Sequence, residues 1–355
     1  MGLAASGLFA LAKATGLSFG FLLRLPFALL DGLTAILLFS ALAEAKNRRL
    51  RRARYALASL YWVSPVSAIF SAYHGNTDSS VGFFILAATL CLLRSKPGWA
   101  GAVLGISLWI KIPGVLALPV LLLAIPGWRA RRHFCTAMAV AALAGYLPWL
   151  VQDPAVVVRS VFLYSGLMIQ TPVGVPIWGL QVFYPDPETL SPAAFDFFRR
   201  FRGGYYQWNT IIALGPVVLY ALLRSRPRSA ESILAGIAGS YFIFYGLTNF
   251  WAFQYLAWAL PLWAFLGFRM AGIAQILAFL YIYGLYAWLC GDPFLLGKWD
   301  FIAKGDWPVG IRWIRDACVL FFFGTALFLL ASAAREAGAR WRGGPGRLSS
   351  PRRGR

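Results

Sequence analysis

The stretch His74-Gly75-Asn76-Thr77-Asp78-Ser79-Ser80 gathers an imidazole, an amide, a carboxylate and three hydroxyls between two apolar runs. Side chains of these types can bind sugar hydroxyls, place a general base at Asp78, or hold a cation through its carboxylate. Asn76, Thr77 and Asp78 are also good helix caps, so a polar turn that satisfies free N-terminal amides is the plainer alternative. A second singular group is Lys111, in Trp109-Ile110-Lys111-Ile112-Pro113. An ammonium among apolar residues needs a partner, water or an anionic ligand such as a phosphate. Snorkelling to the interface is its bland alternative. Gln254 and Tyr255, in the run Phe250 to Pro261, can donate and accept hydrogen bonds near a helix end, either to a ligand or to a neighbouring helix. Asp31 lies two turns into an apolar stretch and calls for a partner or a watery cavity. His74 has no second His or Cys at ligand spacing, so no metal site and no cofactor are assigned; a divalent cation on Asp78 stands as an alternative.

The elements that must position these residues are membrane helices. Of the chain's residues 59% are hydrophobic and only 13% charged, with a mean hydropathy of +0.65, which places most of its surface in lipid. A net charge of +20 would suggest nucleic acid in a soluble protein. Here, however, 22 of the 33 Lys and Arg fall in the short segments 46–54, 94–96, 129–132, 224–228, position 269 and 335–355, at alternate gaps between apolar stretches. The intervening loops carry the other 11, with 9 of the 13 acidic residues. The positive-inside rule therefore puts the basic set in the cytoplasm and the polar clusters on the outer face, and nucleic acid is excluded as a partner.

This alternation predicts an all-α, multi-pass cell-membrane protein with about eleven spans. They are 25–43, 55–72, 80–94, 98–111, 112–126, 134–151, 208–223, 230–249, 251–268, 270–289 and 314–333. Several fall short of the ~20 residues that a straight helix needs to cross the hydrocarbon. The pair on either side of Pro113 reads as a broken helix, allowed only where protein or water covers the freed backbone. Residues 1–334 form one transmembrane domain, with an interfacial helix at 1–24 and a long, proline-rich outer segment at 152–207; 335–355 is a basic, disordered cytoplasmic tail. The aromatics of the outer segment, among them Tyr164, Trp178, Tyr184, Tyr205, Tyr206 and Trp208, either stack on sugar rings or form an interfacial belt. Cys91, Cys135, Cys290 and Cys318 show no CxxC spacing, and there is no Walker loop or strand-borne GxGxxG. Gly101 and Gly105 have the GxxxG spacing that packs helices closely.

The order RLPFALLDG, SPVSAIFSAYHGNTDS, WAGAVLGISLWIKIPGVLALPVLLL and FWAFQYLAWALP resembles the integral-membrane GT-C-type glycosyltransferases over positions 18 to 265. The likeness is strongest to mannosyltransferases that use polyprenyl- or dolichyl-phosphate mannose. It implies a lipid-phosphate sugar donor, a glycan or lipid acceptor and inverting transfer on the extracytoplasmic face. Lys111 then matches a donor-phosphate residue, Asp78 lines the acceptor or donor pocket with His74 and Asn76 and serves as the catalytic carboxylate if none precedes it, and Gln254 with Tyr255 matches an outer pair near the donor. The family's usual catalytic carboxylate follows the first helix, whereas this sequence has no acidic residue before Asp31, which implies an upstream helix and loop before Met1. A transporter or flippase of a lipid-linked saccharide is the alternative, as is a non-catalytic relative, although no internal repeat supports a transporter.

Overall fold

The computed structural model describes residues 2–162, 170–185, 189–224 and 226–342. Among these residues the chain is helical, and its one extended pairing is the isolated bridge Gln170–Pro176. Helix α1 (Gly2–Thr15) ends at Gly16, whose positive φ of 73° turns the chain, and Ser18 caps α2 (Phe19–Ala43) by accepting from the Phe21 amide. The single helix expected at 1–24 is divided at Gly16, and residues 19–24 are the first turns of α2. After a basic turn at Arg48–Arg52 come α3 (Arg54–Tyr73), α4 (Thr77–Leu93), α5 (Pro97–Ile110), α6 (Ile112–Ala124) and α7 (Trp128–Gln152). The long segment after α7 leads through α8 (Pro192–Gln207) to α9 (Asn209–Leu223) and α10 (Ala230–Leu247), followed by α11 (Phe268–Cys290) and α12 (Val309–Arg342).

Among the described residues six helices, α2, α3, α7, α10, α11 and α12, are long and apolar enough to cross a membrane; α8 and α9, bent by 60°, count as a seventh if the pair is one span and not a re-entrant loop. The remaining expected spans are shorter: α4, α5 and α6 are apolar helices, and 251–268 is not an α-helix. It forms two 3₁₀ runs, Phe253–Ala257 and Leu260–Leu266, the second opening on Pro261 and both buried inside the bundle. Freed backbone at that depth is tolerable because protein covers it. The Tyr245 hydroxyl, for example, donates to the Tyr255 carbonyl at 2.7 Å.

Helices α5 and α7 run parallel in close contact. A Cβ on Gly101 would collide with the Phe134 carbonyl, one on Gly105 with Met138 and Ala141, and one on Gly145 with the Trp109 ring. The small residues let two backbones approach, the source of attraction where lipid offers no hydrophobic drive. Since α5 and α7 share a direction, α6 must return between them, and its start at Lys111 and Pro113 is the turning point.

Three of the basic regions, 46–54, the connection between α9 and α10, and the start of the tail, are joined by contacts at one end of the bundle. The Asn47 amide donates to Glu231 Oε2 at 3.0 Å, and Arg340 donates to the Leu223 carbonyl. Helix α12 carries the beginning of the basic tail, continuing to Arg342; residues 343–355 lie outside the described ones. At the opposite end the long segment after α7 is tied down by Trp178, which stacks on Trp251 with centroids 3.8 Å apart and donates to the Tyr245 carbonyl. The Tyr205 hydroxyl also donates inward, to the Leu247 carbonyl at 2.5 Å. These two aromatics are packing residues, whereas Tyr206 and Trp208 are exposed and Tyr164 lies outside the described residues.

Candidate functional site

Helix α3 ends in a π-turn, Ile69–Tyr73, in which the amides of His74 and Asn76 bond back to Ile69 and Phe70. Gly75 follows with φ of 67°, and the Arg24 side chain comes within 3.1 Å of where its Cβ would stand, so both backbone sign and space favour glycine. The reversal delivers Thr77–Ser79 as a 3₁₀ turn at the head of α4. No side chain from Asn76 to Ser79 caps the helix. Asp78 instead points inward: it is fully buried, accepts from Trp258 Nε1 at 2.5 Å through Oδ1, and has Lys111 Nζ at 3.2 Å from Oδ2. That second contact is an ion pair without hydrogen-bond alignment, since Oδ2 has no aligned donor among the described residues.

Lys111 reaches this position because α5 stops there. Its backbone is extended (φ −159°, ψ 121°), its amide donates to the Ser107 carbonyl at 2.7 Å, and Pro113 opens the 3₁₀ turn that follows. The side chain is 31% exposed, so the ammonium faces Asp78 on one side and open space on the other. That space is a cavity of about 700 Å³ lined by Lys111, Tyr146, Gln254, Tyr255, Trp299 and Phe301, among others. Its volume suits a sugar-sized group. Its walls are largely aromatic: Tyr255 stacks on Trp258 at 3.8 Å, and Trp299 on Phe301 at 6.0 Å. The indole N–H groups of Trp251 and Trp299, both lining residues, have no hydrogen-bond acceptor among the described residues. Both nitrogens are buried behind the cavity surface, so the two residues present their rings to it.

Of the residues singled out from the sequence, Lys111, Gln254 and Tyr255 line one cavity, and Asp78 stands directly behind Lys111. His74 does not line it; its ring packs edge-on against Tyr286 at 5.1 Å and Trp299 at 5.7 Å, on the far side of the Trp299 wall. Desolvation of the ring face that meets these aromatics, helped by the Arg24 charge, holds the imidazole below its ordinary pKa, although the residue stays exposed. Asn76 sits half-buried in the reversal. Asp31 has the partners that its position demanded, accepting from Tyr61 at 3.2 Å and Ser67 at 2.7 Å. Among the described residues no three His, Cys, Asp or Glu side chains converge as metal ligands. Sequence reasoning missed Trp258, Trp299 and Phe301, because nothing separates a cavity tryptophan from a core one until the chain is folded.

Residues 7–165, under half of the chain, match the model of glycosyltransferase family 87. The match includes His74, Asn76, Asp78 and Lys111, and Gln254 and Tyr255 lie beyond it. Together with the all-helical, multi-pass architecture it bears out the expected kinship with membrane glycosyltransferases and indicates glycosyltransferase activity. No curated protein and no solved structure matches the chain.

Proposed function

We propose that the chain transfers a hexose, with mannose favoured, from a lipid-phosphate donor to a glycan or lipid acceptor in the cavity at Lys111. The reaction takes place on the face of the cell membrane opposite the basic loops. The observation that carries this reading is the partly exposed Lys111 side chain: one side of its ammonium meets a fully buried carboxylate and the other an aromatic-walled cavity. An acceptor hydroxyl attacks the anomeric carbon, the bond from that carbon to the phosphate oxygen breaks, and the lipid phosphate leaves. Lys111 stabilises the charge that develops on the phosphate. A phosphate in the cavity competes with Asp78 for the ammonium. Drawing Lys111 forward frees Oδ2, which then takes the proton of the attacking hydroxyl while Trp258 holds Oδ1 in place. Gln254 and Tyr255 hold sugar hydroxyls, the rings of Trp251 and Trp299 wall the cavity, and His74 and Asn76 shape the loop that presents Asp78.

The test is transfer of labelled hexose from a polyprenyl-phosphate donor in membranes containing the full chain. Lys111→Ala lowers transfer by about 10²–10³-fold, the scale of losing one charge-stabilising group. Asp78→Asn lowers turnover by about 10²–10⁴-fold with donor binding kept. Wild-type activity in both variants would sink the site assignment. Movement of an intact lipid-linked saccharide across the membrane, without transfer, would favour a flippase instead.

A further inference from the structure

A second cavity, of about 790 Å³, opens at the same end of the bundle as the first, and a single stretch of backbone divides them: Pro176 lines one and Ile177 the other. Arg199, Arg202, Arg312 and Arg315 all line it, against Asp316 as the lining carboxylate among the described residues. These are four of the 11 Lys and Arg outside the basic segments, concentrated where charge bias alone disfavours cations. Two of the four are already committed. Arg315 is buried, chelates Asp316 at 2.7 and 2.8 Å and donates to the Pro176 carbonyl, which makes it a fixed wall; Arg199 pairs with Asp196 at 3.0 Å. Among the described residues the other two keep uncompensated charge. Arg202 bonds only the neutral amide of Gln170, at 2.9 Å, and the guanidinium of Arg312 has no hydrogen-bond or ion-pair partner among the described residues. Arg312 and Trp313 also stand in the first turns of the 34-residue helix α12, which has no acidic residue in its first turn to balance the helix dipole.

We infer that this cavity binds a phosphate-bearing anion, with Arg312 and Arg202 as its direct ligands. Guanidinium forks match phosphate oxygens in pairs, and a helix N-terminus adds amide dipoles of the same sign. The site is separate from the Lys111 cavity and does not depend on the transfer reaction proposed there. A phosphate in it comes either from a lipid headgroup or from free phosphate.

Native mass spectrometry of the purified full chain in neutral detergent distinguishes these sources. The probes are phosphatidylglycerol, a diacylglycerol glycolipid without phosphate, and inorganic phosphate as a competitor. The expected result is retention of phosphatidylglycerol but not of the glycolipid, with binding about tenfold weaker in Arg312→Gln and in Arg202→Gln, the scale of one lost charged hydrogen bond. Arg226→Gln, an exposed residue in the basic segment 224–228, leaves binding unchanged. Displacement by inorganic phosphate identifies the free anion as a sufficient ligand, and resistance to it identifies the lipid headgroup. Equal retention of the glycolipid, equal weakening in Arg226→Gln, or undiminished binding in both cavity variants would overturn the inference. Because the readout is binding, its failure leaves the transferase reading untouched, and the reverse also holds.

Discussion

Removing the ammonium at position 111 should destabilise the fold far more than removing the carboxylate at position 78, although each change breaks the same ion pair. The asymmetry follows from exposure: the Lys111 side chain is 31% exposed and the Asp78 side chain 0%. At 3.2 Å, with an effective dielectric of about 20, the gross attraction is about 5 kcal/mol. In Lys111→Met the carboxylate stays buried with Trp258 as its one remaining donor, a situation that costs about 3–5 kcal/mol. In Asp78→Asn the amide oxygen still accepts from Trp258 and the ammonium turns to water in the cavity, so the cost falls to about 1 kcal/mol. The double variant Lys111→Met/Asp78→Asn removes the orphaned charge and should recover roughly half of what the lysine change loses. With a melting shift of about 2 °C per kcal/mol for a chain of this size, the lysine variant should melt about 6–10 °C lower and the asparagine variant about 2 °C lower. Thermal unfolding in detergent can be followed with a fluorogenic thiol dye, since Cys290 and Cys318 are buried and react only after opening. A double variant no more stable than Lys111→Met, or an Asp78→Asn variant that falls as far, would refute the reasoning.

Trp258→Phe keeps the ring stacked on Tyr255 but deletes the 2.5 Å donor to Asp78; we expect a loss of about 1.5–3 kcal/mol, read in the same melting assay, and no loss when Asp78 is already Asn. Gly101→Val should destabilise by more than about 1–3 kcal/mol, because the new side chain meets the Phe134 backbone and not a movable side chain; Gly98→Ala, with open space around it, serves as the silent comparison. His74 has a pKa below the ordinary 6.5, so the folded chain binds fewer protons than the unfolded one, and its contribution is present above that value and lost as pH falls through the folded pKa. Melting temperatures measured from pH 7.5 down to 5 should therefore decline, and His74→Gln should flatten the decline.

The broad architecture was legible because lipid imposes simple rules. Alternating basic segments located the turns, and several of the apolar stretches between them became helices within two residues of their expected limits, as at α9 and α10, while α2, α7 and α12 extend beyond theirs. The run 251–268 was not legible as 3₁₀ structure, since its composition is that of a helix and only the surrounding helices make a looser winding affordable. Lys111 and Pro113 announced a break, and the break is there. The same residues did not announce that α5 and α7 are parallel, which depends on Gly101, Gly105 and Gly145 all facing one partner.

The candidate site divides in the same way. The sequence by itself determined that Asp78, Lys111, Gln254 and Tyr255 carry polar groups in apolar surroundings, where an unpaired group is too costly to leave to chance. Only the tertiary structure decided which groups pair. It placed Asp78 behind Lys111, which lies 33 positions away in the chain, and aimed Trp258 at the same carboxylate. It also turned His74 away from the cavity, into a ring of aromatics. The physical reason is that local pattern fixes the cost of burying a charge, whereas the partner that offsets the cost is set by helix packing between residues far apart in the chain.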